Sequence, residues 1–141
     1  MARALGLDVG DRWLGLAVSD PLGILASPLT VIERRNNLRK DIEAISGIIK
    51  RLEVDKLIVG LPISMDGGMS EQANKVKGFI DEMSKSIKLP VEFRDERLST
   101  VTAQRLLKER DPKKAVGRDD AAAAAIILQG YLDEEHRKKP T

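Results

Sequence analysis

Two short apolar segments near the N-terminus are separated by three residues that favour a turn. Residues 3–9 (RALGLDV) and 13–19 (WLGLAVS) are mostly apolar and of strand length, and Gly10, Asp11 and Arg12 lie between them. Apolar runs joined by a short turn containing glycine are typical of a β-hairpin. A third apolar run, residues 28–33 (PLTVIE), follows closely, so the pattern predicts an antiparallel meander of three strands.

Helical periodicity begins after an asparagine pair, Asn36 and Asn37, which can supply an N-cap. Apolar residues then recur at intervals of three and four, an arrangement that places them on one face of a helix. They are Leu38, Ile42, Ile45, Ile49 and Leu52. The sequence therefore predicts a first helix directly after the meander.

Strands and helices alternate in the rest of the chain. Strands are predicted at residues 55–62 (DKLIVGLP) and 89–97 (LPVEFRDER), and between them Ser70 is expected to cap a second helix. The apolar stripe of that helix is Ala73, Val76, Ile80 and Met83.

Two more helices are predicted in the C-terminal third. Ser99 or Thr100 can cap one that continues to about Arg110, and residues 121–135 (AAAAAIILQGYLDEE) form the last. Residues 111–120 are expected to be a mobile loop. A basic tail at residues 136–141 (HRKKPT) is expected to be disordered.

This order of elements predicts an α/β fold. A three-strand antiparallel meander followed by right-handed parallel βα units gives a mixed sheet with helices on both faces. The topology resembles that of ribonuclease-H-like proteins. At 141 residues the chain suits one domain, predicted to span residues 1–135.

Composition restricts the kinds of metal site that the chain can form. It has no cysteine and a single histidine, His136, so thiolate sites and histidine clusters are excluded and any metal must be held by oxygen ligands. Neither a signal peptide nor a membrane-spanning segment is evident, so we expect a cytoplasmic protein. The net charge of +2 is too small to indicate nucleic-acid binding, and the local groups of basic residues could equally be solvated surface.

Candidate chemistry begins with Asp8, a carboxylate inside an apolar strand. A charge in that position is costly unless it is paired, exposed or bound to a cation. Acidic residues also occur at Asp95–Glu96 and at Asp119–Asp120. If the first strand lies beside the later parallel strands, Asp8 and Glu96 can meet, and the first turn of the final helix can bring a third carboxylate to them.

Helical phase favours Asp120 over Asp119 as that third residue. Asp120 shares a face with Ala124, Ile127, Leu128 and Tyr131, whereas Asp119 points about 100° away. The alanines at 121–125 would let the helix lie close to the sheet. The alternatives are helix capping for the aspartate pair and a surface ion pair of Asp95 or Glu96 with Arg94 or Arg97.

A cluster of carboxylates without histidine or cysteine suits Mg²⁺ or Mn²⁺. Two such ions, about 3.5–4 Å apart, can activate a water molecule and stabilise the leaving oxygen of a phosphodiester. Metal-loaded carboxylates attract a phosphodiester that bare ones would repel, so the pattern is compatible with a nuclease.

Four stretches in this order resemble the YqgF family of bacterial proteins, described as Holliday-junction-resolvase-like or as pre-16S rRNA nucleases. They are LGLDVGDRWLGLAVSD, VGLPISMDG, FRDERLST and DDAAAAAIILQGYL. The resemblance covers nearly the whole chain and implies Asp8, Glu96 and Asp120 as an acidic triad that binds metal and catalyses hydrolysis. It further implies an endonuclease that acts on structured RNA, at the 5′ end of pre-16S rRNA.

Further residues have less specific signals. Arg12 and Arg97 are candidates for contacts with substrate, although a solvated turn and a structural salt bridge explain them as well. Ser19 and Asp20 are expected to be turn or cap residues. Because aromatic residues make up only 3% of the chain, we expect nucleic acid to be recognised by its backbone and shape.

Three other functions are compatible with parts of the pattern. The same chemistry could act on branched DNA, for which a homodimer would be required; the RNA hypothesis also allows a monomer. A non-catalytic nucleic-acid-binding or transcription-associated module would use its carboxylates structurally. Actin-like ATPases share the hairpin but bind nucleotide between two such domains, and this chain has one.

Overall fold

A computed structural model describes residues 3–63, 68–95 and 118–138. Its elements, in chain order, are β1 (Arg3–Val9), β2 (Trp13–Ser19), β3 (Ala26–Glu33), α1 (Leu38–Leu52), β4 (Val54–Leu61), α2 (Glu71–Ser84), β5 (Val91–Asp95) and α3 (Arg118–Lys138). The helix predicted from residue 99 or 100 to 110 lies outside these ranges. No helix within them is long and apolar enough to cross a membrane.

The five strands form one mixed sheet in the order β3-β2-β1-β4-β5. The first three strands are antiparallel neighbours, and β4 and β5 run parallel to β1. The hairpin turn closes where the Gly10 amide donates to the Trp13 carbonyl over 2.9 Å. The predicted meander and the parallel βα units are therefore confirmed.

Side-chain alternation along the strands divides the core into two layers. Leu5, Leu7 and Val9 of β1 pack in the layer covered by α1 and α2. The other face of the sheet, which includes Ala4 and Ile58, is covered by α3. Helices therefore lie on both faces, as predicted.

The N-caps predicted for the first two helices are confirmed. The Asn37 side chain accepts a hydrogen bond from the Lys40 amide over 3.2 Å, and the Ser70 hydroxyl accepts one from the Ala73 amide over 3.0 Å. Each cap satisfies a backbone amide that has no partner within the helix. All four residues of the predicted α2 stripe are buried.

Two predicted boundaries are wrong by a few residues. Strand β3 begins at Ala26 rather than at Pro28, because an irregularity between Leu16 and Ala17 accommodates the proline on this edge strand. Helix α3 begins at Arg118, so residues 118–120 are helical and not part of a loop.

The C-terminal end of α3 also differs from the prediction. The helix continues through Lys138, so residues 136–138 are helical where a disordered tail was expected to begin. Basic residues in a last turn interact favourably with the helix dipole, and Lys138 lies 3.9 Å from Glu135. Residues 139–141 lie outside the described ranges.

Candidate active site

Asp8 lies on the face of the sheet that α3 covers. Its neighbours Leu7 and Val9 belong to the opposite layer, and alternation along β1 therefore turns the half-buried Asp8 toward α3. Its cross-strand partner on β2 is Gly15, which presents no side chain to this face. Asp8 is therefore beside a position of the sheet that has no side chain.

The first turn of α3 occupies the space above Gly15. A Cβ atom added to Gly15 would lie 2.9 Å from the Ala121 nitrogen and closer still to the backbone carbonyl of Asp120. Real Cβ atoms essentially never approach backbone so closely, so only glycine is compatible with this packing. The contact fixes the backbone of Asp120 directly over the partner of Asp8.

A second strand glycine extends the close approach along the helix. A Cβ atom on Gly6 would lie 2.7 Å from the Ala124 carbonyl oxygen and 2.9 Å from the Leu128 Cβ. The alanines of α3 were expected to permit close packing, and both Ala121 and Ala124 are buried. The packing role of Gly6 on β1 and Gly15 on β2 was not predicted, although both glycines were visible in the sequence of the hairpin.

The helical phase predicted for α3 is confirmed. Ala124, Ile127, Leu128 and Tyr131 are all buried against the sheet, and Asp120 on the same stripe is half-buried. Asp8 and Asp120 therefore lie on the same face of the sheet, with the backbone of Asp120 over Gly15, the strand partner of Asp8. These are two of the three residues of the predicted triad.

Two other predicted site residues, Glu96 and Arg97, lie outside the described residues. Glu96 follows Asp95, the last residue of β5. Within residues 3–63, 68–95 and 118–138, no group of three or more Asp, Glu, His or Cys side chains is arranged to hold a metal ion. The described part of the site is a pair of carboxylates whose oxygens are the ligand type that Mg²⁺ and Mn²⁺ prefer.

A forked ion pair joins β5 to α3. Both terminal nitrogens of Arg94 donate to the Glu134 carboxylate, over 2.8 and 3.0 Å. These hydrogen bonds raise the pKa of Arg94 and lower the pKa of Glu134. Gly130 makes room for the guanidinium, since a Cβ there would lie 3.2 Å from Nη2. Arg94 was expected only as a possible partner of the adjacent acids, and this link across 40 residues was not predicted.

The turn after Asp8 is braced by Arg34. Its guanidinium donates to the Gly10 carbonyl over 2.9 Å and to the Asp41 carboxylate over 3.2 Å, and it lies 5.0 Å from the centre of the Phe79 ring. Asp41 is only 3% exposed, so this ion pair is largely shielded from water. Arg34 is one of a local group of basic residues in the sequence, and nothing in the local pattern indicated the brace.

Arg12 lies in the same turn with its side chain 73% exposed. It is 3.3 Å from the Glu33 carboxylate, and its guanidinium lies 5.3 Å from the centre of the Trp13 ring. An exposed ion pair of this kind contributes little to stability. Arg12 is thus accessible for a ligand at the end of the sheet that carries Asp8, and its contact with substrate stays a prediction.

Known proteins resemble this chain over most of its length. A family model described as RuvX, Holliday junction resolvase, matches residues 2–134. The chain belongs to the RuvX family. This match confirms the resemblance to resolvase-like bacterial proteins that the four sequence stretches indicated.

Curated relatives of this RuvX-family chain carry the name "Putative pre-16S rRNA nuclease". The protein from Dehalococcoides mccartyi is 48% identical over 126 residues, which cover 89% of this chain and 94% of the relative. The protein from Halothermothrix orenii is 47% identical over 137 residues, which cover 96% and 97%.

Solved resolvase structures share the fold at low sequence identity. RuvC of T. thermophilus in complex with a Holliday junction substrate is similar with a TM-score of 0.60 and 16% identity, covering 96% of each chain. The yeast mitochondrial Holliday junction resolvase Ydc2 is similar with a TM-score of 0.61 and 10% identity, covering 96% of this chain and 80% of that chain. The predicted ribonuclease-H-like architecture is confirmed by these structures.

Proposed function

We propose that this chain is a metal-dependent endonuclease that hydrolyses phosphodiester bonds in structured RNA, at the 5′ end of pre-16S rRNA in the cytoplasm. The observation that carries the proposal is the packing of the Asp120 backbone over Gly15, the cross-strand partner of Asp8. The names of the curated relatives support the choice of rRNA as substrate.

The carboxylates would hold one or two ions of Mg²⁺ or Mn²⁺. Two carboxylates held together in a half-buried position repel each other, and a divalent cation between them removes that repulsion. Their placement on a strand and on a packed helix gives them a rigid support, which metal sites require. When bound, such ions would supply an activated water and stabilise the leaving oxygen of an in-line displacement.

Glu96 is proposed as the third ligand. Strand β5 carries Arg94 on the α3 face, where it meets Glu134, and Glu96 follows two residues later in the sequence. In the sheet, Gly60 of β4 pairs with Arg94 of β5, and the preceding residue of β4, Val59, pairs with Leu7 of β1. Because Asp8 follows Leu7, Arg94 is close to the level of Asp8. A carboxylate just beyond Arg94 would thus be near the Asp8 end of the sheet.

Arg12 and Arg97 are proposed to contact the phosphate backbone of the substrate. The exposed guanidinium of Arg12 lies in the turn that follows Asp8, so it can reach phosphates next to a bond held at the carboxylates. Contacts of this kind position nucleic acid without reading its sequence. They also make binding dependent on salt concentration.

Branched DNA is the second candidate substrate. The family model is described as a Holliday junction resolvase, and a structural neighbour was solved with a Holliday junction. Symmetric cleavage of two strands would require two active sites related by a two-fold axis. A non-catalytic binding module, the third possibility, would not need the carboxylates for its activity.

The test is cleavage of a labelled pre-16S rRNA precursor and of a four-way DNA junction in parallel, with Mg²⁺, Mn²⁺ or EDTA. We expect cleavage of the RNA that depends on metal and is lost in Asp8→Asn and Asp120→Asn, with binding retained. Asp81→Asn, an exposed position on α2, makes the same change of charge on the other face of the sheet and should leave cleavage unchanged.

Each alternative has its own outcome in this experiment. Cleavage of the junction alone would replace RNA by branched DNA as the substrate. Binding without cleavage by the wild type would favour the non-catalytic module. Undiminished cleavage by Asp8→Asn, or cleavage that persists in EDTA, would contradict the proposed mechanism.

A further inference from the structure

The loop between β2 and β3 exposes three large aliphatic side chains within four residues. Leu22, Ile24 and Leu25 are 67%, 51% and 59% exposed. Six large hydrophobic side chains are exposed in the described part of the chain, and half of them lie here. Single exposed apolar residues are common on protein surfaces, but a contiguous group is typical of an interaction site.

Hydrogen bonds hold this loop in its exposed conformation. The Asp20 carboxylate accepts from the amides of Ile24 and Leu25, over 2.7 and 3.2 Å, and these bonds lower the pKa of Asp20. From α3, the Gln129 side chain donates to the Ile24 carbonyl over 2.9 Å and accepts from the Ala26 amide over 2.8 Å. Because both sides of the loop are anchored, the aliphatic side chains cannot turn inward without breaking these bonds.

A groove of about 440 Å³ lies beside the loop. Its apolar lining includes Pro21, Leu22, Pro90 and Leu132, and Ala4 and Ser19 also line it. Ala4 is at the start of β1, whereas Asp8 is near its end, so the groove is at the opposite end of the sheet from the candidate active site. The surface therefore does not depend on the proposed nuclease function.

Charges of opposite sign flank the apolar loop. The groove on the α3 side carries Asp55, Glu135 and Lys56, a formal sum of −1. A second depression contains Arg3, Arg51 and Glu53, a formal sum of +1. Pro21 lines both depressions, so the loop lies between an acidic flank and a basic flank.

We propose that this surface binds a second copy of the same chain about a two-fold axis through the β2–β3 loop. In a two-fold interface the same patch is used by both partners, and positions on opposite sides of the axis face each other. The acidic flank of each copy then faces the basic flank of its partner. The aliphatic side chains form an apolar centre within a charged rim, the usual anatomy of an interface.

The first test is the oligomeric state of the full-length chain, measured by sedimentation velocity over a range of concentrations. We expect a dimer for the wild type and at least a tenfold weaker association for the Ile24→Asp/Leu25→Asp variant. Leu38→Asp places one negative charge on an exposed leucine at the start of α1 and should leave the dimer intact. Circular dichroism verifies that each variant is folded.

The second test exchanges the charges of the two flanks. Asp55→Lys/Glu135→Lys makes both flanks basic, and Arg3→Glu/Arg51→Glu makes both acidic, so each variant should be monomeric by itself. Mixing the two variants restores opposite charges at both contacts, and a heterodimer should form. A surface that binds a different protein would show no such rescue.

Three results would overturn the proposal. The first is a wild-type chain that stays monomeric at about 1 mM, where even weak interfaces associate. The second is a dimer that persists in the Ile24→Asp/Leu25→Asp variant, and the third is a charge variant that, unmixed, dimerises as well as the wild type. Either of the last two shows that a different face is used.

Discussion

Gly15 of β2 lies directly beneath the backbone of Asp120 in the first turn of α3. Since Gly15 is also the cross-strand partner of Asp8, one residue without a side chain sets the separation between a sheet carboxylate and a helix carboxylate. Backbone packing at Gly15 therefore sets how closely the start of α3 approaches the strand that pairs with Asp8.

Replacing Gly15 by alanine should displace the start of α3 and reduce cleavage. The added Cβ would meet backbone atoms, which cannot move aside as a flexible side chain can, and overpacking of this kind costs about 1–3 kcal/mol of stability. We expect a loss of activity larger than the loss of folded protein. Urea unfolding and initial cleavage rates measure the two effects.

Gly47→Ala is the matched control for that variant. A Cβ on Gly47 meets nothing within 4 Å, and the residue lies within α1. Alanine there should stabilise the chain by about 0.5–1 kcal/mol and leave cleavage unchanged. Equal cleavage rates for Gly15→Ala and the wild type would show that the spacing at α3 is not important for the reaction.

Removing the charge of Glu134 should make the stability of the chain less sensitive to acid. Hydrogen bonding to Arg94 lowers the pKa of Glu134, so the pair stabilises the fold fully above the ordinary glutamate pKa. That contribution is lost as the pH falls through the lowered pKa, at pH values below about 4. Glu134→Gln should therefore give a flatter dependence of unfolding free energy on pH between about 5 and 3.

The control for this measurement is Glu43→Gln. Glu43 pairs with Arg39 at 3.4 Å on an exposed face of α1, where an ion pair contributes little. Its pH profile should follow that of the wild type. A Glu134→Gln profile as steep as the wild-type profile would mean that the fork to Arg94 does not stabilise the fold in solution.

Arg34→Ala should destabilise the chain by about 2–4 kcal/mol, because it leaves the largely buried Asp41 carboxylate without this cation and removes the bond to Gly10. Arg34→Lys should recover only part of the loss, since an ammonium cannot reproduce the planar guanidinium on Phe79. The neighbouring Arg35 is exposed, so Arg35→Ala should lie within about 0.5 kcal/mol of the wild type in urea unfolding. Similar losses at both positions would contradict a specific role for Arg34.

Gln129→Ala should loosen the β2–β3 loop without unfolding the chain. It removes the partners of the Ala26 amide and the Ile24 carbonyl, for an expected loss of about 1–2 kcal/mol. Hydrogen exchange should become faster at the Ala26 amide in particular. Gln72→Ala, on α2, should leave that amide unchanged, and unaltered exchange in Gln129→Ala would show that the loop is held by Asp20 alone.

The sequence was most informative where structure depends on neighbours along the chain. The pair Asn36–Asn37 and Ser70 were identified as sources of caps because each directly precedes a helical apolar pattern, and Asn37 and Ser70 each accept from an amide three residues later. Asp120 could be chosen over Asp119 because helical phase is fixed by a repeat of 3.6 residues. The order of strands and helices likewise indicated the mixed sheet.

The contacts that were missed join residues far apart in the sequence. The Arg94–Glu134 fork and the Arg34 brace depend on the register between elements, which periodicity does not specify. The start of α3 was placed too late because charged residues such as Arg118 break its apolar pattern without breaking the helix. The role of Gly15 could not be predicted, because it depends on the packing of α3 over the sheet, which the local sequence does not specify.

The contact between Gly15 and α3 has a consequence during protein synthesis. Asp8 lies in β1 and Asp120 lies in α3, so more than a hundred intervening residues must be translated before the two can meet. A nascent chain that ends before residue 118 carries Asp8 beside an uncovered pair of glycines. Asp8 and Asp120 are thus brought to the same face of the sheet only late in translation, so partly made copies lack the proposed pair.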